Sequence, residues 1–304
     1  MKKLFFTVCF IFFVCINYAQ NNLQIAQTLF DEAWNTEDRD LIKKNRQKII
    51  EISPDSEFGL YCKAWFERKN NNFPKSLQTS QNLTNKYPKF WQGYYNSGLC
   101  YHEINKYNEA IKEFNKCIEI NPDFMEAYKH RGILKASLLD RKGALEDFDR
   151  IIEKDQNNAD IYGLRGMIKV ELDDKKSALE DFNNCIKNNP KHSMAYSERG
   201  SVKISLNDTK GGMVDFTTAI EINPKNIQAY RKRAVIKEVL GDYDGAMYDW
   251  NKFIEVDPNN ANGYYARGYL KGIYFNNYKV RLWTHLSTPT IICMIFLFFL
   301  ISFF

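Results

Sequence analysis

The sequence is poor in the groups from which catalytic and metal sites are built. Its histidines, His102, His130, His192 and His285, are scattered, with no His-Glu-x-x-His helix and no His/Cys pair at ligand spacing, so no zinc site is expected. Short paired cysteine spacings are also missing. Beyond Cys9 and Cys15 in an apolar N-terminal run, Cys62, Cys100, Cys117, Cys185 and Cys293 form an odd set, which argues against a disulfide framework. The glycines form no phosphate-binding loop. Asp242-Tyr243-Asp244-Gly245 copies part of a calcium loop but lacks its downstream Glu. Net charge is only +5, from 42 Lys and Arg against 37 Asp and Glu. The charges alternate in sign rather than gathering into a basic stripe, so a nucleic-acid partner is not expected. With no nucleophile–base–orienter set in view, neither enzymatic activity nor a cofactor is expected.

What the sequence does contain is a period. Pro54, Pro88, Pro122, Pro190, Pro224 and Pro258 fall on a 34-residue grid, with Gln156 in the missing slot. Tyr94, Tyr128, Tyr162, Tyr196, Tyr230 and Tyr264 keep the same step, as do Gly98, Gly132, Gly166, Gly200 and Gly268, with Ala234 in the empty place. Further columns hold Ala110, Ala144, Ala178 and Ala246, and Phe114, Phe148, Phe182, Phe216 and Trp250. Several independent columns sharing one period decide the architecture before propensity does.

Each unit reads as two helices. Met125 to Asp140 and then Lys142 to Glu153 carry apolar residues at helical spacing, joined by a short polar connection. The closing Pro lacks an amide hydrogen and disfavours helix in the residue before it, so the second helix stops there. Gly132 and Ala144 are expected to face each other near the turn, where missing side chains let the backbones approach. Cys117 and Cys185 share a column with Ala219 and read as small core residues. A lone hairpin cannot bury its apolar stripe, so the units must stack.

These columns resemble the tetratricopeptide repeat, whose motif runs W/Y, L-G, Y, A, F, A, P over 34 residues. Tyr196, Gly200, Gly212, Phe216, Ala219 and Pro224 stand at the matching places of one unit, and Tyr230, Ala234, Ala246, Trp250 and Pro258 in the next. The resemblance implies an all-α, right-handed superhelical solenoid of helix-turn-helix repeats. It also implies that first helices line a concave groove for a peptide or partner protein. The positions so implied are Tyr95, Leu99, Lys129, Ile133, Ser197, Arg231, Val235, Tyr265 and Tyr269. The Lys/Asn/Arg clamp that some relatives use for acidic tails is not recognisable, because Ile133 follows Lys129 where Asn is needed. One departure is systematic. Arg131, Arg165, Arg199, Arg233 and Arg267 replace the usual Leu before the Gly column, and Asp147, Asp181, Asp215 and Asp249 sit at the mirror position across the turn, with Glu113 in the first strong unit. An Arg–Asp ladder inside or between hairpins is expected, against the plainer reading that both side chains reach solvent.

Both ends depart from the grid. Lys2 and Lys3, the apolar run Leu4 to Ile16 and Asn17-Tyr18-Ala19 read as a signal peptide over residues 1–19. Residues 20–56 read as a degenerate helical cap, 57–258 as six repeats and 259–273 as a partial seventh. The 274–304 segment is irregular and ends in the apolar run Ile291 to Phe304. That run reads equally as a membrane anchor or as the product of a shifted reading frame. The expected function is a non-catalytic protein-interaction scaffold, exported to the periplasm or cell envelope. An envelope chaperone or assembly factor is the alternative, and an enzyme with an unrecognised site comes third.

Overall fold

The computed structural model describes the backbone of residues 2–286 and the side chains of residues 18–273; the apolar run Ile291 to Phe304 and Cys293 lie outside the described residues. Helices follow one another as α1 (Lys2–Trp34), α2 (Arg39–Ile52), α3 (Glu57–Lys69), α4 (Phe73–Lys86), α5 (Trp91–Glu103), α6 (Tyr107–Ile120), α7 (Met125–Ser137) and α8 (Arg141–Lys154). They continue as α9 (Ala159–Glu171), α10 (Lys175–Asn188), α11 (Ser193–Ser205), α12 (Thr209–Ile222), α13 (Ile227–Val239), α14 (Tyr243–Val256) and α15 (Ala261–Leu286). No strand occurs among the described residues. Two compact units divide at residues 156 and 157. In the first, α1/α2, α3/α4, α5/α6 and α7/α8 pair as hairpins. In the second, α9/α10, α11/α12 and α13/α14 do so, and α15 packs on α14. Within each unit the second helix of one hairpin packs on the first helix of the next. The proposed cleavage point after Ala19 falls inside α1.

Local chemistry sets each hairpin. From α3 to α14 the first helix of each hairpin ends in one residue with left-handed backbone, at Asn71, Asn105, Leu139, Asp173, Asn207 and Gly241 in turn. Such a residue satisfies the last carbonyls of the helix and reverses the chain. Except at α6, the second helix then opens on a side-chain cap. Asp140, Asp174, Asp208 and Asp242 accept the amides of Gly143, Ser177, Gly211 and Gly245. The Asp242 segment that copies part of a calcium loop is therefore this helix cap, a contact that contributes about 1 kcal/mol.

The core of the hairpins from α5 to α12 is the Phe column. Phe114, Phe148, Phe182 and Phe216 are at most 1% exposed, each worth about 1.5–3 kcal/mol of burial. The glycine column makes room for these rings. A Cβ built on Gly132 would lie 2.8 Å from Phe148 Cε1, and one on Gly166 2.9 Å from Phe182 Cε1. At Gly132 the nearest atoms to such a Cβ belong to Phe148 and Asp147. At Gly200 a Cβ would meet Phe216 Cε1 and the Gly212 carbonyl oxygen, each at 2.9 Å.

Candidate functional site

The Arg column and the Asp column meet within every hairpin from α7 to α14. Arg131 donates from Nε to Asp147 Oδ2 at 3.0 Å and from Nη2 to Oδ1 at 2.5 Å. The same fork joins Arg165 to Asp181 (3.0 and 2.6 Å), Arg199 to Asp215 (2.9 and 2.7 Å) and Arg233 to Asp249 (2.9 and 2.7 Å). This bidentate match is what guanidinium geometry allows and an ammonium does not. The four aspartates are 0–2% exposed.

A third partner escaped the sequence reading. Lys135, Lys169, Lys203 and Lys237, each four residues after its Arg, reach the same carboxylates at 3.0, 2.8, 2.8 and 2.9 Å. The signal was available, because i and i+4 share a helix face and this Lys column also steps by 34. Each carboxylate is thus gripped by two cations. The third guanidinium nitrogen reaches back to the preceding hairpin. Arg131 Nη1 donates to Asn115, Arg199 Nη1 to Asn183, Arg233 Nη1 to Thr217 and Arg267 Nη1 to Asn251. The Tyr column completes the cluster, with Arg131, Arg165 and Arg199 lying 5.2–5.5 Å from the ring centroids of Tyr128, Tyr162 and Tyr196. The columns therefore join both within and between hairpins, and their repetition marks them as framework. The α5/α6 hairpin lacks this grip. Ser97 and Tyr101 stand where Arg and Lys would be, and burial raises the pKa of Glu113.

The residues assigned to the groove fare unevenly. Arg231 is exposed, as are Val235, Tyr265 and Tyr269, at 41%, 77% and 59%. In the first unit Leu99, Lys129 and Ile133 are half-buried, and Lys129 pairs with Glu126 at 3.4 Å. The Tyr95 ring packs edge-on against Phe124 at 4.8 Å and beside His130 at 5.9 Å, and burial raises its phenol pKa. Ser197 does not line a groove. It is 1% exposed, because its position on α11 turns inward, and this corrects its assignment.

His102 and His130 do approach, with ring centroids 6.4 Å apart, but burial pushes the His130 pKa down to about 4. That imidazole is neutral at physiological pH, stacked on Phe114 at 5.7 Å. Burial raises the thiols of Cys62 and Cys117 to about 12 and of Cys185 to about 11, so they are unreactive core residues. Among the described residues no group of His, Cys, Asp and Glu is placed to hold a metal, and no helix is long and apolar enough to cross a membrane.

Solved structures with this fold include YrrB, described as a TPR protein with an unusual peptide-binding site. It is 20% identical, with a TM-score of 0.54 over 62% of this chain and 97% of that one. A tetratricopeptide repeat protein from Parabacteroides merdae gives 17%, 0.55, 82% and 99% by the same measures. TTC0263 from Thermus thermophilus gives 17%, 0.50, 59% and 98%. These similarities establish the all-α tetratricopeptide solenoid as the fold. No curated protein matches the sequence. The family model of the ETO1 C-terminal domain, itself tetratricopeptide-like, matches residues 84–265, more than half of the chain. By that match and by its fold, the chain belongs to the tetratricopeptide-like family of the ETO1 C-terminal domain.

Proposed function

We propose that this chain is a non-catalytic scaffold of the cell envelope, exported by residues 1–19, that binds an extended peptide or a partner protein along its first helices. One observation carries the reading. From α7 to α14 the repeating charged columns are consumed by internal ion pairs, whereas the exposed first-helix positions differ from hairpin to hairpin. Arg231 and Val235 on α13 give way to Tyr265 and Tyr269 on α15. A uniform frame that displays a non-uniform surface suits recognition of one partner, with main-chain contacts for affinity and side-chain variety for specificity. YrrB, which shares the fold, is itself described by a peptide-binding site.

The test is affinity purification from cell envelopes with the natural chain and with an Arg231→Glu, Val235→Asp double variant. One saturable partner retained by the first and lost by the second supports the scaffold. Equal retention by both sinks the groove assignment. Suppressed aggregation of many unrelated clients would instead favour a chaperone.

A further inference from the structure

The second unit ends on half a hairpin. Helix α15 carries the first-helix set Tyr264, Arg267, Gly268 and Lys271, in register with Tyr128, Arg131, Gly132 and Lys135 of α7. One face of α15 is seated on α14: Leu270 is fully buried and Gly263 lies against Phe253. The set just named lies on the adjoining face, with Arg267 at its edge still reaching Asn251 of α14. In α7 that set receives α8, with Phe148 over the glycine and Asp147 between the two cations. In α15 it receives nothing among the described residues. No described atom lies within 4 Å of a Cβ built on Gly268, and Tyr264 is 45% exposed where Tyr162 and Tyr230 are 9% and 6%. Arg267 keeps its link to Asn251 and its place 5.4 Å from the Tyr264 ring, yet no described carboxylate meets it or Lys271.

Residues 272–304 do not carry the sequence of the missing half. Each preceding first helix from α3 onward spans 13 residues, whereas α15 runs on for 26. Where the grid would place Asp and Phe, the sequence has Trp283 and Thr284, and no acidic residue occurs anywhere from 258 to 304. The apolar run Ile291 to Phe304 therefore offers no counter-charge. A second copy of α15 would set like charges against each other.

We propose that the Arg267–Gly268–Lys271 face of α15 docks an amphipathic helix from a partner protein, one that presents Ala-x-x-Asp-Phe on its apolar edge. The Asp enters the fork of Arg267 and Lys271, the Phe covers Gly268, and the incoming helix completes the seventh hairpin. This surface is separate from the groove reading and stands without it.

The chain's own second helices supply the probe, because α8 already fits this set of residues on α7. A capped, labelled peptide of Arg141–Lys154 is titrated with the full chain and followed by fluorescence anisotropy. Saturable binding is expected. A peptide carrying Asp147→Asn and Phe148→Ala should lose about tenfold or more in affinity. Gly268→Leu, which fills open space and leaves the circular dichroism unchanged, should block the natural peptide. Charge reversal by Arg267→Glu should weaken the natural peptide and favour one with Asp147→Lys. The proposal is overturned if the full chain does not bind the natural peptide, the outcome expected were residues after 286 to cover this face. It is equally overturned if Gly268→Leu binds as before, or if sedimentation shows self-association that Arg267→Glu abolishes, since a second copy would then be the occupant.

Discussion

Replacing Asp215 by Asn tests whether the buried ion clusters behave as the geometry requires. Asp215 is 2% exposed and accepts from Arg199 at 2.9 and 2.7 Å and from Lys203 at 2.8 Å. Asn keeps the volume but removes the charge, and turns one acceptor into a donor facing two cations. Breaking a buried pair by removing one partner costs about 3–5 kcal/mol, because the remaining charge is left uncompensated. Here Arg199 and Lys203 keep side-chain exposures of 17% and 23%, so water recovers part of their solvation. The expected cost is therefore near the lower bound, about 3 kcal/mol. In urea, with a slope of about 2 kcal/mol per molar, the midpoint should fall by about 1.5 M. Hydrogen exchange should place the loss in α11 and α12, since stacked repeats unfold by neighbouring units. Glu119→Gln, which breaks an exposed pair with Lys116, should leave the midpoint where it was. A shift for Asp215→Asn as small as that control would refute the reasoning. Removing Arg199, Asp215 and Lys203 together in favour of apolar residues of similar volume should cost less than the single change, because no charge is then stranded.

Three further outcomes follow from the same repeats. Leu139 holds a φ of +66°, where its counterparts are Asn, Asp or Gly, so Leu139→Asn or Leu139→Gly should stabilise by about 1 kcal/mol, read as a higher midpoint in thermal melts. Gly166→Ala should cost about 1–3 kcal/mol through overpacking, its Cβ lying 2.9 Å from Phe182 Cε1. Gly268→Ala, in the same column but facing open space, should stabilise through helix propensity by up to about 1 kcal/mol; equal effects at both sites would deny the open face. Glu113 has a pKa raised in the folded state by burial, so folding takes up a proton and stability rises as pH falls through that raised value. Glu113→Gln should raise stability at neutral pH and abolish this acid-side gain, as seen in urea midpoints measured from pH 4 to pH 7.

The period was legible because it is a one-dimensional property. Columns of Tyr, Gly, Ala, Phe and Pro name their helices and turns by spacing alone, and a resemblance to a known repeat gave the rest of the architecture. The Arg–Asp columns were visible for the same reason. Lys135, Lys169, Lys203 and Lys237 are just as regular, yet surface lysines recur on most helices and only proximity to a buried carboxylate distinguishes these four. Ser197 shows the converse. Its place in a column assigns it to the groove, but it is buried in the packing of α11. The spacing pairs Gly132 with Ala144 across the turn, but the ring of Phe148, which lies nearest the glycine, is placed by side-chain reach that spacing does not show.

The sequence by itself determined the repeat, the helix count within each repeat and the residue types that close each hairpin, all of which follow from local geometry repeated at fixed spacing. Tertiary structure decided which charges are buried, which column is crowded and which is open. The same Arg-Gly-x-x-Lys set is framework in α7 and, among the described residues, an open face in α15. Nothing in those residues differs between the two places. The difference lies in whether a second helix arrives to cover them, and that is a property of the neighbours, not of the motif.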